Sequence, residues 1–284
     1  MTESWSIKRL LDWSTDYFLS HGIDSPNLTS QLLLADILGM RRLDLFLAFD
    51  RVLVRSELDR YKEYVRRRLR REPLDYIIAS SEFLGLRFHV NDQVLIPRPE
   101  TELLAELALK YLKSHPTATV VDIGTGSGVL AITAKTSFPG CTVWATDLSP
   151  GALVIAQQNA AEHGAEIRFE EGFFPRSLLA GFTDGLILSN PPYIRTADIQ
   201  RLEPEVREYE PLLALDGGED GLWVIRQIIG LVARLKPAPA LMMEIGYDQR
   251  PAVENMLREN HLEPAEFIKD LEGIDRIVFV GAVA

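Results

Sequence analysis

The residues from Val120 to Ile123, in a strand expected over Thr119 to Ile123, form an apolar run broken once, by Asp122, and lead directly into Gly124-Thr125-Gly126-Ser127-Gly128. A helical apolar pattern from Val129 to Thr136 follows. A strand that enters a glycine turn and leaves as a helix is the start of a strand-helix-strand unit, which requires a parallel sheet covered by helices. Glycines in the turn let a ligand approach the backbone closely. The spacing differs from the Gly-x-Gly-x-x-Gly of nicotinamide-binding turns, because the third glycine comes one residue early.

The same alternation continues downstream. Strands are expected at Thr142 to Thr146, Ile167 to Phe169, Gly185 to Ser189 and Ala240 to Ile245, with helices at Pro150 to Glu162 and Leu222 to Leu235. Ala265 to Lys269 and Arg276 to Val280 lie too close for a helical crossover and are expected to pair antiparallel. An open α/β sheet closed in this way resembles the Rossmann-like, seven-stranded class I methyltransferase fold. Upstream, Trp5 to Tyr76 reads as a small helical bundle punctuated at Asp24-Ser25-Pro26-Asn27 and Gly39-Met40, with a charged helix from Ser56 to Arg71. Alternation over Phe83 to Val90 and Gln93 to Ile96, around Asn91-Asp92, predicts a β-hairpin between the two parts. The expected division is a helical domain over 1–80, a hairpin linker over 81–97 and the α/β domain over 98–284. The stretch Pro191 to Asp220 has no clear period and follows a strand end, where open α/β sheets bind ligands.

Charge is distributed unevenly between these parts. Residues 1–85 hold 13 Lys/Arg and 13 Asp/Glu, so the remainder, with 17 and 28, carries the whole formal charge of -11. An acidic α/β half disfavours a nucleic-acid substrate and suits a cationic ligand. No segment has the run of roughly 18 apolar residues needed to span a membrane. The single Cys141 and five scattered histidines give no disulfide framework and no metal-ligand spacing. These features predict a cytoplasmic, metal-free protein.

Asp147 stands at the end of the second strand, 23 residues after Gly124 (147 minus 124), where a carboxylate can accept hydrogen bonds from both ribose hydroxyls of a nucleoside. Phe173, after the third strand, can stack on or edge an adenine. The most informative tetrapeptide is Asn190-Pro191-Pro192-Tyr193. Its two prolines fix φ and remove two backbone donors, leaving carbonyls and the Asn190 side chain as acceptors. The Asn190 oxygen and the Pro191 carbonyl can each take one N–H of a planar NH2 group, with Tyr193 packed against its face. An amide nitrogen is a poor nucleophile, so holding both hydrogens to aim it at a methyl group has a catalytic use. An exocyclic adenine amine presents the same NH2 geometry and stays open as an alternative acceptor. The run Arg66-Arg67-Arg68-Leu69-Arg70-Arg71 would then be a phosphate or partner contact, or simply a solvated helix face. A non-catalytic, cofactor-binding adaptor is a further alternative, against which the intact Asn190 and Tyr193 speak.

Taken with these residues, nearly the whole chain resembles the HemK-type protein-glutamine N-methyltransferases that act on peptide chain release factors. The resemblance rests on Glu72-Pro73-Leu74-Asp75-Tyr76, Phe83-Leu84-Gly85, Val94 to Glu102 with its Ile-Pro-Arg-Pro-Glu-Thr-Glu, the glycine loop, and Asn190 to Ile194. It extends over Pro204 to Pro211, Asp216 to Leu222, Glu244-Ile245-Gly246 and Asp270 to Arg276. It implies S-adenosyl-L-methionine as cofactor, held by Gly124, Thr125, Gly126, Ser127, Gly128, Asp147, Phe173 and Asn190. It also implies the glutamine of a release factor Gly-Gly-Gln motif as target, with the helical domain helping to dock it. One departure concerns Gly172-Phe173-Phe174, where relatives carry an acidic-aromatic pair, and Glu171 can take the acidic role.

Overall fold

The computed structural model describes residues 4–179, 182 and 185–282; residues 1–3 and 283–284, at the two ends of the expected domain ranges, lie outside it. In chain order the elements are α1 (Ile7–Ser20), α2 (Pro26–Leu38), α3 (Asp44–Leu47), α4 (Arg55–Leu69), α5 (Leu74–Ile77), β1 (Ser80–Phe83), β2 (Leu86–His89) and α6 (Pro99–Leu112). There follow β3 (Thr119–Ile123), α7 (Val129–Ser137), β4 (Thr142–Asp147), α8 (Pro150–Glu162), β5 (Ile167–Glu171), β6 (Gly185–Ser189), α9 (Pro204–Tyr209) and α10 (Leu212–Leu215). The chain closes with α11 (Trp223–Arg234), β7 (Ala240–Glu244), α12 (Arg250–Glu259), β8 (Ala265–Lys269) and β9 (Asp275–Val280). By contacts it forms two units: Met1–Ala79 with Pro204–Tyr209, and Ser80–Glu203 with Glu210–Ala284.

The larger unit is built on a seven-stranded sheet of order β5-β4-β3-β6-β7-β9-β8, parallel except at β9, which runs antiparallel to both neighbours. At its centre both faces are buried, so β6 and β7 are buried at every step instead of every second one. Val120, Leu186, Leu188 and Met242 enter one core with residues of α6 and α7, while Val121, Ile187, Leu241 and Met243 enter the other with α11 and α12. Helix α11 shows why it seats there: Ile225, Ile228, Ile229 and Val232 recur at helical spacing and are all buried. Strand β3 has β4 on one side and β6 on the other, so the chain moves outward through β4 and β5 and then returns. That reversal opens a crevice at the carboxyl ends of β3 and β6.

Two expectations need correction. The hairpin pairs β1 with β2, Phe83 opposite Leu86, and turns at Leu84-Gly85, not at Asn91-Asp92. Both turn residues have positive φ, 47° and 74°, the pairing that matches strand twist in a two-residue turn; a leucine there carries no turn signal in sequence. Asn91-Asp92 is a separate turn in which the Asn91 side chain accepts from Gln93 N–H at 3.0 Å, after β2 has ended. Helix α6 falls on no predicted element, although Pro99 at its first position with Glu100 and Glu102 in its first turn is a regular helix start.

The helical unit has its own core of Ile7, Phe18, Leu33, Leu34, Leu45, Tyr61 and Val65. Tyr61 donates its buried hydroxyl to Ser14 Oγ at 2.8 Å. The arginine run is committed within this unit: Arg66 and Arg70 to Glu63, Arg67 to Glu72, and Arg68 and Arg71 to Glu205 at 3.0 and 3.4 Å. Arg68 is buried, so the run is not a uniformly solvated helix face. No helix among the described residues is long and apolar enough to cross a membrane.

Candidate active site

The β3–α7 turn is shaped by its glycines. Gly124, Gly126 and Gly128 have φ of 71°, 55° and 88°, a region closed to most side chains. Beside Gly124 and Gly126 a Cβ would meet nothing within 4 Å, whereas at Gly128 it would lie 2.9 Å from Ile132 Cδ1 and 3.3 Å from Ala156 Cβ. The first two glycines therefore leave backbone open to a ligand, and the third lets α7 and α8 approach. Gly124 and Thr125 N–H groups both donate to the Thr146 carbonyl at 2.9 Å, clamping the turn to β4.

Asp122, under this turn, is 1% exposed. Its Oδ2 accepts from the Thr125 hydroxyl at 2.6 Å and from Ala131 N–H at 3.2 Å, while Oδ1 is buried without a partner. Burial pushes its pKa up to about 7 against those two bonds. Asp147 reaches the turn from β4, with Oδ2 accepting from Gly126 N–H at 3.0 Å and Oδ1 from Ser149 N–H at 2.9 Å. Burial raises its pKa, and the backbone donors only partly oppose that rise. Each oxygen keeps a lone pair for a further donor.

Across the crevice, Asn190 follows β6. Its Nδ2 donates to Thr101 Oγ1 at 2.9 Å, Thr101 donates to Glu244 Oε2 at 2.8 Å, and the Tyr193 hydroxyl donates to Glu244 Oε1 at 3.0 Å. Glu244, at the end of β7, is 1% exposed. Burial raises its pKa, and the Thr101 and Tyr193 hydroxyls with Arg276 oppose that rise. Burial first, and then Glu244, hold the Tyr193 phenol far above its ordinary value, so it remains a donor. Gln249 fixes the backbone behind: its Nε2 donates to the Tyr193 and Gly221 carbonyls at 3.0 Å, and its Oε1 accepts from Gly246 N–H at 2.8 Å. Arg98 pairs with the buried Glu210 at 2.5 Å, which also accepts from Ile96 N–H at 3.3 Å.

One cavity brings together Gly124, Thr125, Gly126, Ser127, Asp147, Phe173, Asn190, Pro191 and Pro192. Gly128 and Tyr193 are outside its lining: the first faces α8, and the second turns its hydroxyl to Glu244. Thr101 lines the same cavity and was not among the residues expected from sequence. Its signal lay in the Pro-Arg-Pro-Glu-Thr-Glu segment, informative there only by resemblance. Glu244 is visible in sequence as a carboxylate at the end of an apolar strand, a position it could hold only with buried donors around it. Chemically, the site offers exposed backbone and a carboxylate on one side, and carbonyl acceptors on the other.

Residues 9–78 match the family model described as the PrmC N-terminal domain, and residues 100–204 that of the methyltransferase small domain. A release factor glutamine methyltransferase from Geobacter sulfurreducens is 42% identical over 280 residues, covering 97% of this chain and 96% of that protein. One from Chlorobaculum tepidum is 37% identical, covering 96% of each. Among solved structures, the N-terminal domain of human METTL16 in complex with SAH superposes with a TM-score of 0.52 at 15% identity, covering 94% of each chain, a likeness of fold.

Proposed function

Because this chain belongs to the release factor glutamine methyltransferases, we propose that the cavity between the β3–α7 turn and Asn190 is where a release factor glutamine meets S-adenosylmethionine. The enzyme methylates that glutamine, and the finer assignment is to the side-chain amide nitrogen within a Gly-Gly-Gln motif. The observation that carries it is the meeting of two half-sites in one cavity: the open glycine turn with Asp147, and the Asn190-Pro191-Pro192 edge with its carbonyl acceptors. The residues fit the cofactor, since positive φ and empty space at Gly124 and Gly126 admit close approach. Asp147 can accept from the ribose hydroxyls, and Phe173 can lie against the adenine.

When bound, S-adenosylmethionine supplies a methyl group on a cationic sulfur. The chain supplies position. Asn190 Oδ1 and the Pro191 carbonyl accept the two N–H groups of the glutamine, so its nitrogen is presented with its lone pair toward the crevice. Such alignment can supply about 7–11 kcal/mol of a barrier when the reacting atoms are near attack distance. No strong base is needed first, because the proton can leave as or after the methyl arrives. The helical unit, matching the PrmC N-terminal domain, is assigned to docking the factor. Arg67, Arg68 and Arg71 are taken up in ion pairs with Glu72 and Glu205, which argues against that run as a phosphate contact. The work of such an enzyme lies in the cytoplasm, with translation.

The test is mass spectrometry of an unmethylated release factor incubated with the enzyme and S-adenosylmethionine. One methyl on the Gly-Gly-Gln glutamine is expected, with Asn190→Ala losing nearly all of it. Modification at another residue would overturn the target, and full activity in Asn190→Ala would overturn the receptor.

A further inference from the structure

The two arms of an asparagine amide are nearly the same size, yet they have opposite hydrogen-bonding sense. Which arm faces the cavity decides whether the site receives a donor or an acceptor. The reading of Asn190 above needs its oxygen there, and nothing in Asn190 itself ensures it.

The chain behind Asn190 supplies the constraint. The Thr101 and Tyr193 hydroxyls donate to the two oxygens of Glu244 at 2.8 and 3.0 Å, an arrangement that serves its carboxylate form, which can only accept. Thr101 has one proton, which is now used, so toward Asn190 its oxygen can only accept. The group 2.9 Å away must therefore be Nδ2. Oδ1, on the other arm, has no partner among the described residues, and Asn190 lines the cavity. We propose that Thr101 and Glu244 are positioning residues that lock the Asn190 amide with its oxygen toward the acceptor, so that the site takes a glutamine and rejects a glutamate. The inference rests on Asn190 being the receptor. It deepens that reading by assigning the selectivity to a chain of directed hydrogen bonds rooted in a buried carboxylate.

These directed bonds also predict what reverses it. In Glu244→Gln, the arrangement that leaves no buried hydroxyl unsatisfied has Tyr193 donating to the new amide oxygen and the new amide NH2 donating to Thr101. Thr101 must then donate to Asn190 Oδ1, which turns the Asn190 NH2 toward the cavity. In Thr101→Val the constraint is simply removed, with little change in volume.

The experiment compares wild type, Thr101→Val, Thr101→Ser, Glu244→Gln and Asn190→Ala. Methylation kinetics are measured on an unmethylated release factor, and inhibition constants for the same factor bearing Gly-Gly-Glu. Calorimetric titration of S-adenosylmethionine serves as the control for an intact fold. Loss of a charge-linked orienting bond predicts a fall of roughly ten- to a hundredfold in kcat/KM for Thr101→Val, recovered in Thr101→Ser. The preference for the glutamine factor over the glutamate factor should fall by about tenfold in Thr101→Val and invert in Glu244→Gln, with cofactor affinity unchanged. A preference ratio that stays at the wild-type value in both variants overturns the proposal, whatever happens to the rate. The same follows if Glu244→Gln fails to bind cofactor and the Thr101→Val ratio is unmoved. If Asn190→Ala itself retains wild-type activity, it is the receptor reading that fails.

Discussion

Asp122→Asn should make the protein more stable in alkaline solution relative to wild type, by an amount that depends on pH. The buried Asp122 carboxylate has a folded pKa of about 7 against an ordinary 3.8, with burial the main cause, the Thr125 and Ala131 donors opposing it, and the Asp147 charge adding to it. A raised folded pKa means that the folded protein holds this proton more tightly than the unfolded chain. The corresponding stability is complete below about pH 4 and is lost as pH rises through about 7. The difference between about 7 and 3.8 amounts to about 4 kcal/mol in all. Between pH 5.5 and 8.5, where most other groups of this kind do not titrate, the same relation leaves about 2 kcal/mol to be lost. Asparagine has no charge to desolvate. Its oxygen can stand where Oδ2 accepts both bonds, and its NH2 where Oδ1 has no partner, so its own cost is independent of pH. Urea titrations of both proteins at four pH values across that range should show the gap moving by about 2 kcal/mol in favour of Asp122→Asn. Curves that stay parallel to within about 0.5 kcal/mol would refute the reasoning, since they would mean that Asp122 titrates as an ordinary carboxylate.

Two further outcomes follow from the glycine turn and its carboxylate. Gly128→Ala combines a φ of 88° with a contact at 2.9 Å to Ile132, and should cost roughly 2–4 kcal/mol in urea titration, clearly more than Gly126→Ala, whose Cβ meets open space. Equal costs would show that helix approach does not require Gly128. Asp147→Ala should weaken S-adenosylmethionine about 10- to 100-fold by calorimetric titration, corresponding to about 1.4–2.7 kcal/mol for two lost hydrogen bonds to a charged acceptor; unchanged affinity would remove Asp147 from the cofactor site.

Much of this architecture is legible in sequence, because a buried parallel sheet needs apolar strands and amphipathic or wholly buried helices between them. Strands β3, β6 and β8 and helix α8 begin and end at the expected residues. The hairpin was not legible, since its turn is made by Leu84 at φ 47°, a conformation imposed by pairing and not favoured by leucine. The residues of α9 group with the helical unit through Glu205 and Tyr209, the latter donating to the Arg70 carbonyl at 2.6 Å. No local pattern could announce that, because the partners are more than a hundred residues away. The cavity's backbone and carbonyl groups were readable as a motif, whereas Thr101, Glu244 and Gln249 act through hydrogen bonds between separate elements. Spacing along a chain carries no record of such bonds.

Around the start of α6, three neighbouring side chains fasten three separate parts of the larger unit. Arg98 holds Glu210, Thr101 holds Asn190, and the Glu102 carboxylate accepts from Leu84 N–H in the hairpin turn at 2.7 Å. Successive residues of a helix point about 100° apart, so this division of labour depends on counting as much as on chemistry. A single residue inserted between Pro99 and Thr101 would leave every side chain present and turn Thr101 and Glu102 by about that angle relative to Arg98. The segment should therefore accept some substitutions more readily than any change of length, and its spacing is itself part of the active site.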